Sequence, residues 1–591
     1  MLHAAFDFPQ QPLARNSGAR LRGVWTAPPS HRLRATTPAA VIDVLAQAEA
    51  AARAGAWVLG GLRYEAAAAF DAALTTHEAV APLADFAVFD TAPEPWPAGE
   101  PAHTGLLAWQ DAQPDATPAI ERIRHYIRAG DCYQVNLTTR LHAAAAGLDP
   151  AQLFLALHAS QPGGFSLFLR EAGVASVSPE LFFDWRPAAG GHGSWQLAAQ
   201  PMKGTAPRGS DPVEDEAAQA HLRSSDKERA ENLMIVDLLR NDLSRVAQLG
   251  TVQVPRLFEL HALPTVWQMT STVTALSRPG LTLADAFAAL FPCGSVTGAP
   301  KVRAMQVIRE LEPTARGWYC GALGLIQPGG AATFNVPIRT VEFNDRGLTC
   351  GIGSGITLDS EPAAEIDEWR AKMRFLLRAE APIAALETLR LEAGVAVRAE
   401  AHLARMQRTA RHFGLGFSRD EVRSQLAALA AAHPEGCWRL RLTSDAQGTL
   451  AHTLTALTPT REPVRLALAG RPMAVGGPQA EFIAHKTTRR EVYAFDKPPG
   501  VFDLILWNEA GELTECSFGN LALQIDGGWL TPPRSAGLLP GVLRAELLAQ
   551  GRLREARLTR DDLVRATGIA FFNSLRGWLE AELVTEAHKK S

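Results

Sequence analysis

The stretch "RAKMRFLLRAEAPIAALETLR", residues 370 to 390, most constrains what this chain can fold into. A helical run meets Ala381-Pro382, where proline removes a backbone donor and drives the preceding residue out of helical geometry. Motif-dense sequence lies on both sides, over about 120–372 and 385–580. A chain of 591 residues is too long for one hydrophobic core. The break therefore reads as a boundary between a domain over 1–379 and a second over 380–591. The helix closing the first domain is expected over Glu365–Ala379, capped by Ser360, with Pro362 in its first turn, where the missing N–H is harmless.

Charge narrows the partners. Fifty-eight Lys and Arg stand against 62 Asp and Glu, for a net charge of -4 with no block of one sign. That balance favours neither nucleic acid nor a membrane surface and leaves small ligands. The six cysteines, at 132, 293, 320, 350, 437 and 516, form no C-x-x-C pair and no His/Cys cluster. This spacing argues against a zinc site or disulfide framework and fits a reducing cytoplasm. No basic-then-apolar leader opens the chain and no run of about 18 apolar residues follows, so neither a signal peptide nor a membrane span is expected.

Within the first domain, amphipathic stretches such as "IERIRHYIRAG" alternate with strand-like runs such as "TFNVPIRTVEF" and "LTCGIGSGIT", which predicts an α+β layered fold around a large sheet. "SSDKERAENLMIVDLLRNDLSRV", residues 224 to 246, opens with Ser225 and Glu228 at capping-box spacing and is expected to be a helix. Glu228 and Glu231 on it are three residues apart, as are Glu365 and Glu368 on the closing helix, so each pair shares a helix face. Alone, each pair reads as a solvated face. Together they suit Mg²⁺, which takes one or two protein oxygens and completes its octahedron with water and substrate oxygens. Gly351, Gly353 and Gly355 let backbone approach a ligand closely, and Arg339, placed on an expected strand, could grip a carboxylate with its fork of donors. Lys203 in "PMKGTAPRG", taken by itself, is an ordinary turn lysine.

The ordered set "YIRAGDCYQVNLTTR", "SVSPELFF", "PMKGTAPRG", "DKERAENLMIVDLLRNDLSRV", "FPCGSVTGAPKVRAM", "WYCGALG", "FNVPIRT" and "GIGSGI" resembles the chorismate-utilising enzymes over about residues 55–375. The resemblance implies a layered α/β fold, Mg²⁺ held by Glu231 and Glu368 with Glu228 and Glu365 beside them, and a chorismate site lined by Gly204, Thr205, Tyr319, Arg339, Gly353 and Gly355. Members that add water carry a lysine where this chain has Gln134, so an ammonia-using member is implied. Lys203 stands where anthranilate-forming members carry a small residue and where members aminating C4 carry lysine. Pro201 and Met202 are expected to desolvate Lys203 and free its amine as a nucleophile toward C2 of chorismate, while Glu180 protonates the departing C4 hydroxyl. The family's strand histidine is replaced by Gln268, so its role cannot be transferred.

In the second domain "EAHLARM", "AEFIAHKTTRREVYA", "WNEAGELTECSFGNL", "GLLPGVLR" and "FFNSLRGW" resemble, as an ordered set over about 385–582, the fold-type IV pyridoxal-phosphate enzymes. The resemblance implies that Lys486, which follows an apolar strand-like run, carries the cofactor and removes a substrate proton. Glu515 would hold the pyridine nitrogen protonated. Arg405, the amides of Val542 and Leu543, and Ser574 would bind the phosphate. The usual opening strand with its Asp-Arg-Gly and Gly-Asp-Gly turns is missing before "ALETLRLEAG". Members of this family usually pair, so a homodimer through this domain is expected.

Joined, the two resemblances imply conversion of chorismate and ammonia into 4-amino-4-deoxychorismate, then into p-aminobenzoate and pyruvate for folate synthesis. A glutamine amidotransferase would be a separate subunit. Two alternatives stay open at this point: an anthranilate-forming domain joined to an aminotransferase, and a non-catalytic scaffold relative.

Overall fold

The computed structural model describes residues 1–13, 18–79, 81–97, 99, 102–145, 147–188, 193–208, 212–262 and 266–584. It divides into two compact units, Met1–Ala381 and Pro382–Ser591.

The first unit is built on two mainly antiparallel sheets. One runs in the order Gly298–Ala299, Gln134–Ala143, Gly347–Ile356, Thr340–Asn344, Val174–Ser178, Phe165–Leu169, Ala4–Pro9 and Arg20–Trp25. The other runs Met202–Pro207, Val266–Leu276, Trp195–Gln200, Leu181–Pro187, Ala332–Asn335, Ala322–Ile326, Trp57–Leu62, Ala84–Phe89 and His31–Ala35. The strand period of two sorts their side chains into layers. Phe6, Phe8 and Trp25 of the first sheet meet Leu59, Phe89 and Leu323 of the second in a core between the sheets. Alternate residues face outward: Ala5 and Leu137 pack with the helices Thr117–Arg128 and Pro150–Ser160, and Val58 and Phe183 pack with Pro38–Arg53 and Leu283–Leu290. The order is helix, sheet, sheet, helix, the α+β layering expected.

Local details differ from expectation. The closing helix is two helices, Pro362–Lys372 and Arg374–Glu380, joined at Met373. Its cap position is Glu361, while the Ser360 hydroxyl instead accepts the Thr357 N–H at 3.1 Å. "TFNVPIRTVEF" is two strands with Val336–Arg339 between them, and Arg339 takes a left-handed φ of 50°. The tip of the hairpin at 186–195 lies partly outside the described residues.

In the second unit, strands Val395–Ala396, Ala385–Glu392, Cys437–Ser444 and Leu450–Ala456 form a sheet backed by helices Ala399–Phe413 and Arg419–Ala432, through Leu389, Leu440, Leu403, Met406 and Leu426. A second sheet runs Leu513–Cys516, Asp503–Trp507, Val464–Leu468, Gly577–Leu583, Gly568–Asn573, Asn520–Ile525, Gly528–Thr531 and Arg554–Glu555. No helix among the described residues is long and apolar enough to cross a membrane.

Candidate active sites

The first site forms where the two sheets and the helix Asp226–Ser244 meet. That helix starts as its sequence dictates: the Ser225 hydroxyl accepts the Glu228 N–H at 3.3 Å. The Glu228 side chain does not complete a capping box. Its carboxylate accepts the backbone N–H of Thr205 and lies 3.2 Å from where a Cβ on Gly204 would stand. Gly204 has a φ of +96°, so the close approach and the backbone angle both require glycine there. Asn232, one turn further along, donates to the Lys203 carbonyl at 3.1 Å and is held by the Ser271 hydroxyl at 2.6 Å. Gln268, the residue in the histidine's place, braces the same strand by donating to Gly204 O at 2.9 Å and accepting from the Thr205 hydroxyl at 3.1 Å.

Lys203 is half-buried, but acids surround it where an apolar pocket was expected. Its charge acts on the carboxyls of Glu180, Glu228, Glu231 and Glu368. Its ammonium nitrogen stands 3.3 Å from the position of a Cβ on Gly355, and the same position is 2.2 Å from Nε2 of Gln134, so Gly355 keeps the strand clear of both side chains. Gln134 is fully buried and neither of its amide atoms has a hydrogen-bond partner among the described residues. An unpartnered buried amide beside a lysine is costly unless a ligand completes it.

Glu180 is buried, and desolvation pushes its carboxyl above the ordinary range although Ser295, Lys203, Lys372 and the Met202 N–H oppose the shift. The Ser295 hydroxyl donates to it at 2.7 Å. Arg339 runs beside this segment: Val177 N–H donates to Arg339 O, and Val336 N–H to Glu180 O, both at 3.1 Å. Burial, with Arg378 nearby, lowers the Arg339 guanidinium to about 10, and it has no acidic partner among the described residues. Tyr319 is buried with its ring against Gly351. That is four residues along the strand from Gly355, roughly 13 Å at the usual strand rise. The Gly353 carbonyl accepts Lys372 Nζ at 2.7 Å, so its close contacts are to the protein's own groups.

The four glutamates face one region. Glu228 is raised by burial and by Glu368, and Glu231 by burial, Glu228 and Glu365. Glu365 accepts the Ser354 hydroxyl. Burial would raise Glu368, but Lys372, 2.7 Å away, and Lys203 hold it below its usual range. Among the described residues no three acidic or histidine groups converge tightly enough to enclose one ion. Two of these carboxylates could offer Mg²⁺ the one or two protein oxygens it takes.

The second site centres on Lys486. The apolar run before it is the helix Ala480–Ala484, not a strand. The lysine follows that helix, and its carbonyl accepts Leu386 N–H of the strand Ala385–Glu392 at 3.0 Å. Burial, with Arg405 and Arg490, lowers its amine to about 7. Glu515, on strand Leu513–Cys516, is raised to about 7 by burial and accepts the Leu539 N–H at 2.9 Å and the Tyr493 hydroxyl at 2.8 Å. Val542 and Leu543 open the helix Val542–Ala549, whose cap residue Gly541 offers no side-chain acceptor, so its first N–H groups are available to an anion. Arg405 Nη1 donates to the carbonyl of Pro540, just before that helix, at 3.2 Å. A lysine with a near-neutral amine, a buried carboxyl and an arginine beside a helix N-terminus fit pyridoxal phosphate. The sequence reading missed Gln134 as an unpartnered group, and Ser295, Tyr493, Glu387 and His402. The i,i+3 spacing in "HLAR" was the one local signal for the last.

Known proteins resemble the two units separately. Residues 93–378 match the model of the chorismate binding enzymes, and residues 384–584 that of the class IV amino-transferases. Aminodeoxychorismate synthase component 1 of Klebsiella aerogenes is 45% identical over 260 residues, which span 44% of this chain and 56% of that relative. An isochorismate synthase of Bacillus anthracis, 21% identical, shares the fold with a TM-score of 0.50 across 64% of this chain and 96% of its own. A putative amino-acid aminotransferase of Mesorhizobium loti is 32% identical across 34% of this chain and 100% of its own, with a TM-score of 0.32. The chain therefore carries a domain of the chorismate binding enzymes over residues 93–378 and a domain of the class IV amino-transferases over residues 384–584.

Proposed function

We propose that the chain is a bifunctional enzyme forming p-aminobenzoate: the first unit aminates chorismate at C4, and the second eliminates pyruvate from the 4-amino-4-deoxychorismate produced. The observation that carries this reading is the pairing of Lys203 with Glu180, a lysine whose charge acts on a buried carboxyl that desolvation pushes above its ordinary range. In this reading Lys203 attacks C2 as the C4 hydroxyl leaves with a proton from Glu180. Ammonia then adds at C4 and the lysine departs, restoring its amine. Arg339, with no acidic partner among the described residues, receives a substrate carboxylate. Glu231 and Glu368 would hold Mg²⁺, directly or through water, and the ion would offset the charge of a substrate carboxylate.

In the second unit pyridoxal phosphate would supply the electron sink that lets a proton leave C4. Lys486, with an amine near neutrality, takes that proton, and aromatisation of the ring drives the loss of pyruvate. Ammonia would come from a separate glutamine amidotransferase subunit. We place the enzyme in the cytoplasm, since all six cysteines are free.

Two single variants test the order of steps. With chorismate, Mg²⁺ and ammonium, Lys486→Ala should accumulate the C4 amine without pyruvate, and Lys203→Ala should consume chorismate at least about a thousandfold more slowly. Pyruvate from Lys486→Ala at the wild-type rate would overturn the division of labour.

A further inference from the structure

Glu387 is the hub of a buried network in the second unit that the reaction above does not use. It stands on the strand Ala385–Glu392, 1% exposed. Its Oε1 accepts Arg405 Nε–H at 2.7 Å, and its Oε2 accepts Arg405 Nη2–H at 2.8 Å and His402 Nδ1–H at 2.7 Å. His402 and Arg405 are three residues apart on the helix Ala399–Phe413 and so reach one carboxylate from one face. The other ring nitrogen of His402 lies 2.7 Å from Ser574 Oγ, which follows the strand Gly568–Asn573. Arg405 Nη1 continues to the Pro540 carbonyl before the helix Val542–Ala549.

The pattern has a direction. Three parts of the proposed phosphate cup, Arg405, the helix N-terminus and Ser574, come from distant stretches of chain. Arg405 reaches the helix loop directly, and Glu387 with His402 connects it to Ser574. With both carboxylate oxygens engaged, the guanidinium keeps a single rotamer, and a hydroxyl bonded to a fixed imidazole keeps a single direction. A buried charge held this way is costly to assemble and more costly to break, so it stays where its geometry is needed. We propose that Glu387 and His402 are positioning residues of the phosphate site, holding Arg405 and Ser574 converged on one phosphate group. The proposal rests on the pyridoxal-phosphate reading of this unit.

The test compares two probes on the full chain: pyridoxal phosphate, and pyridoxal, which lacks the phosphate. Glu387→Gln and His402→Phe should each weaken pyridoxal phosphate about tenfold or more, as loss of a hydrogen bond around a charged group does. Both should leave pyridoxal within about twofold of wild type and shift the ³¹P resonance of the bound phosphate. The double variant His402→Phe with Ser574→Ala should bind no more weakly than the weaker single variant, because the histidine acts through the serine. Should Glu387→Gln fail to fold, the His402 comparison carries the test alone. Equal weakening of both probes, unchanged affinity for pyridoxal phosphate, or additive losses in the double variant would overturn the proposal. A wild-type chain that binds no pyridoxal phosphate, or binds it as well with Lys486→Ala, would instead overturn the cofactor reading and the proposal with it.

Discussion

Ser295 donates its hydroxyl hydrogen to Oε1 of Glu180 at 2.7 Å, across 115 positions of sequence and between two buried side chains. That bond stabilises the ionised carboxylate, yet burial outweighs it and leaves Glu180 raised.

The sign gives a first prediction. A carboxyl whose folded pKa is raised adds stability only at low pH and loses it as pH rises through the folded value. Glu180→Gln removes that loss. At neutral pH the variant should melt no lower than wild type, while amination falls by a factor of about 10²–10⁴, the usual worth of a general acid. Melting curves at several pH values, with initial rates, check both halves.

Lys203 should matter to chemistry far more than to folding. Lys203→Ala is expected to cut chorismate consumption at least about a thousandfold, as loss of a nucleophile does. Its melting temperature should stay near wild type, because the residue is half-buried and its removal relieves no packed core. Rate assays and calorimetry on one preparation decide it.

At Gly204 the structure predicts the opposite balance. An added Cβ would meet Met269 Cβ at 3.1 Å and Glu228 Oε2 at 3.2 Å, on a backbone with φ of +96°. Gly204→Ala should cost about 1–3 kcal/mol of stability, the usual range for a strained backbone position. Because it displaces Glu228, it should also raise the Mg²⁺ concentration needed for half-maximal rate. Denaturant titration and a Mg²⁺ series measure the two effects.

Lys486 predicts a pH trend in stability. Its amine is lowered by burial from 10.5 to about 7, so between those values the unfolded chain holds a proton that the folded one does not. Stability therefore rises with pH across that window and is lost as pH falls through about 7. Without added cofactor, Lys486→Met should be the more stable form at pH 7, with the difference shrinking toward pH 10. Paired thermal melts of the two forms follow it.

What could be read in the sequence was local. Ser225 and the apolar spacing after it set the helix Asp226–Ser244, and Glu228 and Glu231 follow from i,i+3 spacing on it. Five apolar-rich residues, "AEFIA", are too few to separate helix from strand, so the turn before Lys486 was misread. Arg339 takes its left-handed φ with no glycine at that position to announce it. Ser295, Glu387 and His402 act through partners distant in sequence, His402 and Ser574 being 172 positions apart, and only folding reveals such pairs. The acids around Lys203 likewise come from two helices and a strand start, which is why Pro201 and Met202 suggested an apolar setting.

In the proposed reaction nitrogen goes to C4 of chorismate, and one chain carries the product on to an aromatic amine. The direct measurement is incubation of the chain with chorismate, Mg²⁺, pyridoxal phosphate and ¹⁵N-ammonium, followed by NMR identification of the labelled aromatic product. The expected products are ¹⁵N-p-aminobenzoate and pyruvate in equal amounts. Labelled o-aminobenzoate, or chorismate left intact, would contradict it.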